Sequence, residues 1–245
     1  NKEMHTENFF SGIFLDIEYE IFVIGALQYD YNIYVIISYS VDGKEMWTSQ
    51  YGLDNSDLAT SHMLFTNDNR LVVYGYVNPL EDKSWSFLAV HKTEGDLTSF
   101  VELDFYPINW GLLSNDNIIF SGEGVLFLDL AGNEVWHFKK NNIFVWEIAL
   151  DSEENIVGIG SMPYENIMED PYKMIIFKLD SGGNLLWWKE YIREYLNSEH
   201  LLVDSEDNVI VTGYEGKKDV EIPYDTKFFA LKLDPDGELL WHETY

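Results

Sequence analysis

Short apolar runs alternate with polar turns along the whole chain, and the alternation returns in five copies. In the last copy the runs fall at 201–203, 209–212, 228–233 and 239–244. Asp204-Ser-Glu-Asp-Asn208 separates the first pair of runs and Asp234-Pro-Asp-Gly237 the second. Val, Ile, Phe, Tyr and Trp fill the runs, residues that suit a pleated, half-buried surface, and turn formers bound them. Each copy therefore predicts four short antiparallel strands. No run has the length or the spacing of a helix. The stretch 187–195 comes nearest, with Trp188, Ile192 and Tyr195 on one face, and reads instead as an outer strand and the loop after it.

Fixed markers recur in the copies. Gly25, Gly75, Gly122, Gly160 and Gly213 close an apolar run early in each. Asp16, Thr66, Asp151 and Asp204 stand nine positions before four of them, and Ser114 eight before Gly122. A turn glycine follows at Gly43, Gly95, Gly132, Gly183 or Gly237, and four positions beyond it comes Trp47, Ser99, Trp136, Trp187 or Trp241. Phe100 is expected to stand in where Ser99 breaks the rule. A tryptophan at one place in successive repeats predicts packing between neighbours. Four antiparallel strands every ~40–50 residues is the spacing of a β-propeller blade. The expected fold is all-β, a five-bladed β-propeller with four antiparallel strands per blade. The blades fall at about 11–52, 57–105, 107–141, 143–192 and 196–245. Residues 11–245 form one domain after an amino-terminal tail, 1–10, whose Phe9 and Phe10 dock. Five complete copies predict a ring closed by packing the last blade on the first.

The motif Asp-x-x-x-Asn, three apolar residues, Thr-Gly, then Lys-Leu-Asp-x-x-Gly-x-Leu-x-Trp resembles the bacterial and archaeal β-propeller repeats, relatives of the quinoprotein-like propellers. The resemblance covers the whole chain, most fully at Asp204–Gly213 with Lys232–Trp241. It implies the fold and leaves activity open, because such propellers serve mostly as binding scaffolds.

Charge narrows the partners. With 43 acidic against 15 basic residues the net charge is −28, so phosphate backbones and anionic lipid are repelled and nucleic acid is excluded. No run of 18 apolar residues occurs, which argues against membrane insertion by a helix. The chain has no cysteine, so disulfides, thiolate metal sites and cysteine nucleophiles are excluded. An extracytoplasmic or secreted location is slightly favoured, and a monomer is expected.

Function is expected on one face. The first and third turns of a blade share a face and are short and regular here. The second turns and the links between blades vary: 27–32, 77–83, 123–124, 162–171 and 215–224. Variable loops on a rigid scaffold are where binding sites usually form. Trp110, Trp146 and Tyr164 are candidate ligand-binding residues, with rings to stack on a sugar. The first strands, read as starting at Gly12, His62, Glu147 and His200, would place His62, Glu147 and His200 at the mouth of a central channel. Two imidazoles and a carboxylate suit a divalent transition metal, although no cofactor is required by the sequence. No zinc-protease, phosphate-loop or nucleophile-elbow pattern appears, and Asp204–Asn208 lacks the glycine of a calcium loop. The expected function is therefore a non-catalytic scaffold or binding module for a protein or carbohydrate ligand. The alternative is a glycan-active hydrolase or metal-dependent enzyme at the channel mouth, with Glu147 as its catalytic carboxyl.

Overall fold

A computed structural model describes residues 8–15, 21–28, 32–52, 56–79, 85–105, 107–162, 172–193, 195–217 and 225–245. These residues form five four-stranded antiparallel sheets, each a meander of consecutive strands. The first holds β1 (Asn8–Leu15), β2 (Ile21–Gln28), β3 (Asn32–Tyr39) and β4 (Glu45–Gly52). The second holds β5 (Ser56–Phe65), β6 (Arg70–Pro79), β7 (Trp85–Lys92) and β8 (Leu97–Leu103). The third holds β9 (Asn109–Leu112), β10 (Ile118–Gly122), β11 (Gly124–Leu128) and β12 (Glu134–Phe138). The fourth holds β13 (Phe144–Leu150), β14 (Ile156–Ser161), β15 (Tyr172–Leu179) and β16 (Leu185–Arg193). The last holds β17 (Tyr195–Val203), β18 (Val209–Lys217), β19 (Asp225–Leu233) and β20 (Leu239–Thr244). Two compact units contain them. The described residues up to 105, with 114–117 and 129–133, make one unit; 107–113, 118–128 and those from 134 onward make the other.

Sequence pattern explains which strands are buried. β11 is apolar throughout and β10 apolar but for Ser121, and both are buried throughout, whereas β4 alternates between exposed and half-buried positions, as a strand covered on one face should. In the first unit Tyr34, Ile36, Met63, Leu71, Val73 and Phe87 form a core against which Trp47, Tyr51 and Phe100 pack. Its polar centre is the buried pair Tyr34 Oη and His91 Nε2, 3.0 Å apart. Burial lowers the His91 pKa to about 4, opposed by the Gly95 carbonyl beside Nδ1. In the second unit Ile156, Ile175 and Phe177 centre one cluster, and Val157, Ile159, Val211, Phe229 and Leu231 another.

The recurring polar residues build the turns. Asp204 Oδ1 accepts from the amides of Glu206 and Asn208 at 2.9 and 3.0 Å, while Asp207 adopts φ +60°. Asp151 does the same with Glu153 and Asn155, at 2.9 and 2.8 Å, and Glu154 carries the +60° φ. The lysine of Lys-Leu-Asp then crosses to that aspartate: Lys178 Nζ stands 2.7 Å from Asp151 and Lys232 Nζ 2.8 Å from Asp204. Burial works to raise the Asp151 carboxyl, but the Lys178 and Asn155 bonds more than offset it and leave it below the ordinary range. Asp204 is held lower still, mainly by Lys232. The later turns are hairpins closed by glycine in the left-handed region, such as Gly183 and Gly237 at φ +80°, with Gly237 N donating to Asp234 O at 2.9 Å.

The tryptophans lock successive sheets. The Trp136 ring lies against Gly183 and its Nε1 donates to Ser181 O at 3.1 Å. Trp187 lies against Gly237 and donates to Pro235 O at 3.0 Å. Trp47 lies against Gly95 in the same way. Each ring thus covers the hairpin turn of the next sheet, where only glycine leaves room for it. In the second sheet Val101, not Phe100, fills the place, its side chain lying against Gly132. Phe100 instead stacks on Phe87 at 5.2 Å within the core.

Three further expectations need correction. The first strands begin earlier than Gly12, His62, Glu147 and His200. Each of these residues follows a β-bulge inside its strand, between Phe10 and Gly12, Thr60 and His62, Val145 and Glu147, and Ser198 and His200. The apolar runs marked only the part after the bulge. Phe9 and Phe10 belong to β1, opposite Ala26 and Gly25, rather than to a tail. The residues after Trp187 continue as strand to Arg193, and Tyr195 already opens β17, so no loop of several residues intervenes.

Candidate functional site

The bulges decide where the candidate residues go. A bulge adds one residue to a strand and re-aims its side chain. On β13 the added residue is Trp146. Its half-buried ring packs on the core of the last two sheets, and Nε1 donates to Ser198 Oγ at 3.1 Å, beside the bulge of β17. Glu147 follows, and its Oε2 accepts the Leu201 amide at 2.8 Å. Burial raises the Glu147 pKa, opposed by that amide and by the charge of His200. The structure therefore brings Glu147, His200 and Trp146 to one junction between β13 and β17, with the His200 side chain exposed. For His62 only the backbone is described, opposite Tyr74 on β6. Among the described residues no group of three His, Asp or Glu side chains is placed to hold a metal ion. Trp110 lies on β9, its ring stacked on Phe120 at 5.9 Å. Tyr164 lies outside the described residues, as do parts of the second turns of the first, second, fourth and last sheets.

The second turn of the third sheet is described, and it borders a cavity. Gly122 and Gly124 pair across this turn. Gly124 sits at φ +103°, where a Cβ would collide with the Phe138 carbonyl oxygen. The link from β12 to β13 is equally constrained. Asn141 and Asn142 both adopt φ +51°, and Ile143 N donates to Lys140 O at 3.0 Å. Two successive left-handed residues make a type I′ turn, which asparagine tolerates. Between turn and link lies a cavity of about 440 Å³ lined by Glu123, Lys139, Lys140, Asn142, Ile143 and Phe144. Ile143 is buried, while Phe144 remains 43% exposed. Lys140 Nζ stands 5.3 Å over the Trp188 ring, and Trp188 stacks on Phe177 at 5.9 Å.

The opposite ends of the sheets differ in kind. Asp129, Asp151, Asp180, Asp204 and Asp234 each accept amide hydrogen bonds within their own turns. Their carboxylates are occupied by the backbone they shape.

Sequence reasoning named Glu147 and His200, which the structure brings together, but did not name Lys139, Lys140, Asn142 and Phe144. The Asn141-Asn142 pair, a turn former between two strands, was the signal that could have found them.

No protein-family model matches the sequence, and no curated protein matches it. Solved structures do. A protein of unknown function from Bacteroides caccae is similar over 99% of this chain and 83% of its own, with 11% identity and a TM-score of 0.51. The propeller of Dos1 is similar over 91% of this chain, with 10% identity and a TM-score of 0.57. A eukaryotic initiation factor matches over 96%, with 12% identity and a TM-score of 0.61. The chain spans 56% and 55% of the length of these last two. The fold is that of a β-propeller.

Proposed function

We propose that the five sheets close into a five-bladed propeller that binds rather than catalyses. Its ligand, a protein or a glycan, would occupy the face of the second turns and links. The observation that carries this reading is the contrast between the two kinds of turn. The Asp turns spend their polar groups on themselves, whereas the 139–144 link leaves a cavity of about 440 Å³ with an exposed aromatic ring beside it. That size falls within the range of small-ligand sites, roughly 300–1,000 Å³. Closure is supported by the repeat itself. Trp241 holds the tryptophan place of Trp187 and is 41% exposed, and Gly43 holds the turn-glycine place of Gly237 at φ +82°, so the chain carries both halves of one further contact of the kind that joins the other sheets.

Binding to a glycan array and to a peptide library tests the reading, with the wild-type chain beside Phe144→Ala and Ser205→Arg. Loss of a bound ligand in Phe144→Ala alone supports it. Loss in Ser205→Arg alone, on the Asp204 turn, would place the working face on the other side.

One observation favours the second reading, an enzyme acting on glycans. Glu147 is a carboxyl raised by burial with His200 beside it, the environment a general acid requires. Hydrolysis of nitrophenyl glycosides that is abolished by Glu147→Gln would favour it; hydrolysis that survives the change removes Glu147 from that role.

A further inference from the structure

We propose that the cavity beside the 139–144 link takes an acidic sugar, a ring carrying one carboxylate among hydroxyls. The proposal rests on the binding reading above and names its ligand class. Positive charge is scarce here, with 15 basic residues against 43 acidic. Most of the lysine and arginine contacts seen are with carboxylates: Lys178 with Asp151, Lys232 with Asp204, Lys189 with Glu238 and Arg70 with Asp68. Lys139 and Lys140, adjacent in sequence, line one cavity, and among the described residues neither is ion-paired. In so acidic a chain, two such lysines in the lining of one cavity supply the positive charge that a single carboxylate needs.

The rest of the lining selects for a sugar. Glu123 disfavours a second negative charge and accepts hydroxyl hydrogens, and the Asn142 amide both donates and accepts. Phe144 offers an exposed ring for the apolar face of a pyranose. The lysines stand where the link is fixed, because the left-handed Asn141 and Asn142 close the turn between Lys140 and Ile143. A fixed link loses less entropy on binding than a loose one. The volume suits one or two sugar rings.

Calorimetric titration of the full chain with galacturonate, and with neutral galactose as comparator, tests this. Galacturonate should bind at least tenfold more tightly than the neutral sugar, and raised salt should weaken it. Lys139→Ala and Lys140→Ala should each weaken it about five- to tenfold. Lys140 also rests on Trp188, so Lys139→Ala carries the test if Lys140→Ala melts early. Equal binding of the two sugars, or unchanged binding in Lys139→Ala, overturns the acidic-ligand inference while glycan binding stands. Binding of neither sugar overturns the inference as well, and the binding reading is then judged on the array and peptide results alone.

Discussion

At the scale of single residues, the polar markers of the repeat are bolts for turns. Lys178 and Asp151 are paired where their side chains are only 8% and 2% exposed. Removing one member strands a buried charge, so Lys178→Met should cost about 3 kcal/mol in urea unfolding. Lys232→Met, at the more open pair, should cost clearly less. Acid should act in two stages. His91 falls from the ordinary 6.5 to about 4 on folding, so its neutral form stabilises the fold fully above the unfolded value. That stability, up to about 3 kcal/mol, is lost as pH drops from 6.5 towards 4. His137, lowered by burial and by Lys139, adds to the same window. Asp151 and Asp204, also lowered, contribute above the unfolded carboxylate value of about 4 and lose it as pH falls further. A pH series of thermal melts should show the first stage reduced in His91→Gln and the second retained. The aspartates and lysines were legible as a repeated motif. Their pairing was not, because the partners lie on different strands and spacing along the chain carries no cross-strand distance.

At the scale of elements, the tryptophan-on-glycine contact is the joint. A Cβ at Gly183 would stand 2.6 Å from the Trp136 ring, and the residue sits at φ +80°. Gly183→Ala should therefore destabilise by about 2–3 kcal/mol, combining overpacking with backbone strain. Gly182→Ala next to it, where the nearest atoms belong to the flexible Asn184 and Asp180 side chains at 3.2 and 3.3 Å, should cost much less; differential unfolding of the two variants checks this. The repeat made the strands and the tryptophan positions readable. The bulges before Gly12, His62, Glu147 and His200 escaped, since one extra residue in a strand leaves the apolar pattern intact on either side. So did the replacement of tryptophan by Val101: Ser99 and Val101 are two apart and share a face, and sequence alone favoured the larger Phe100 on the other face.

At the scale of the whole molecule, five four-stranded sheets of one repeat underlie the proposal of a closed ring with its working face on the link side. The cavity between Glu123 and Phe144 was unreadable in advance because its residues have no counterpart in the other copies. Ring closure is the claim on which a common binding face depends. In a closed ring Trp241 takes on the 40–44 turn the place that Trp187 takes on the turn of the last sheet. The direct test is the unfolding free energy of Trp241→Ala beside Trp187→Ala, measured across a range of protein concentrations. Closure predicts a similar loss in both, about 3 kcal/mol, independent of concentration. A Trp241→Ala chain as stable as the wild type, with Trp187→Ala destabilised, would contradict it.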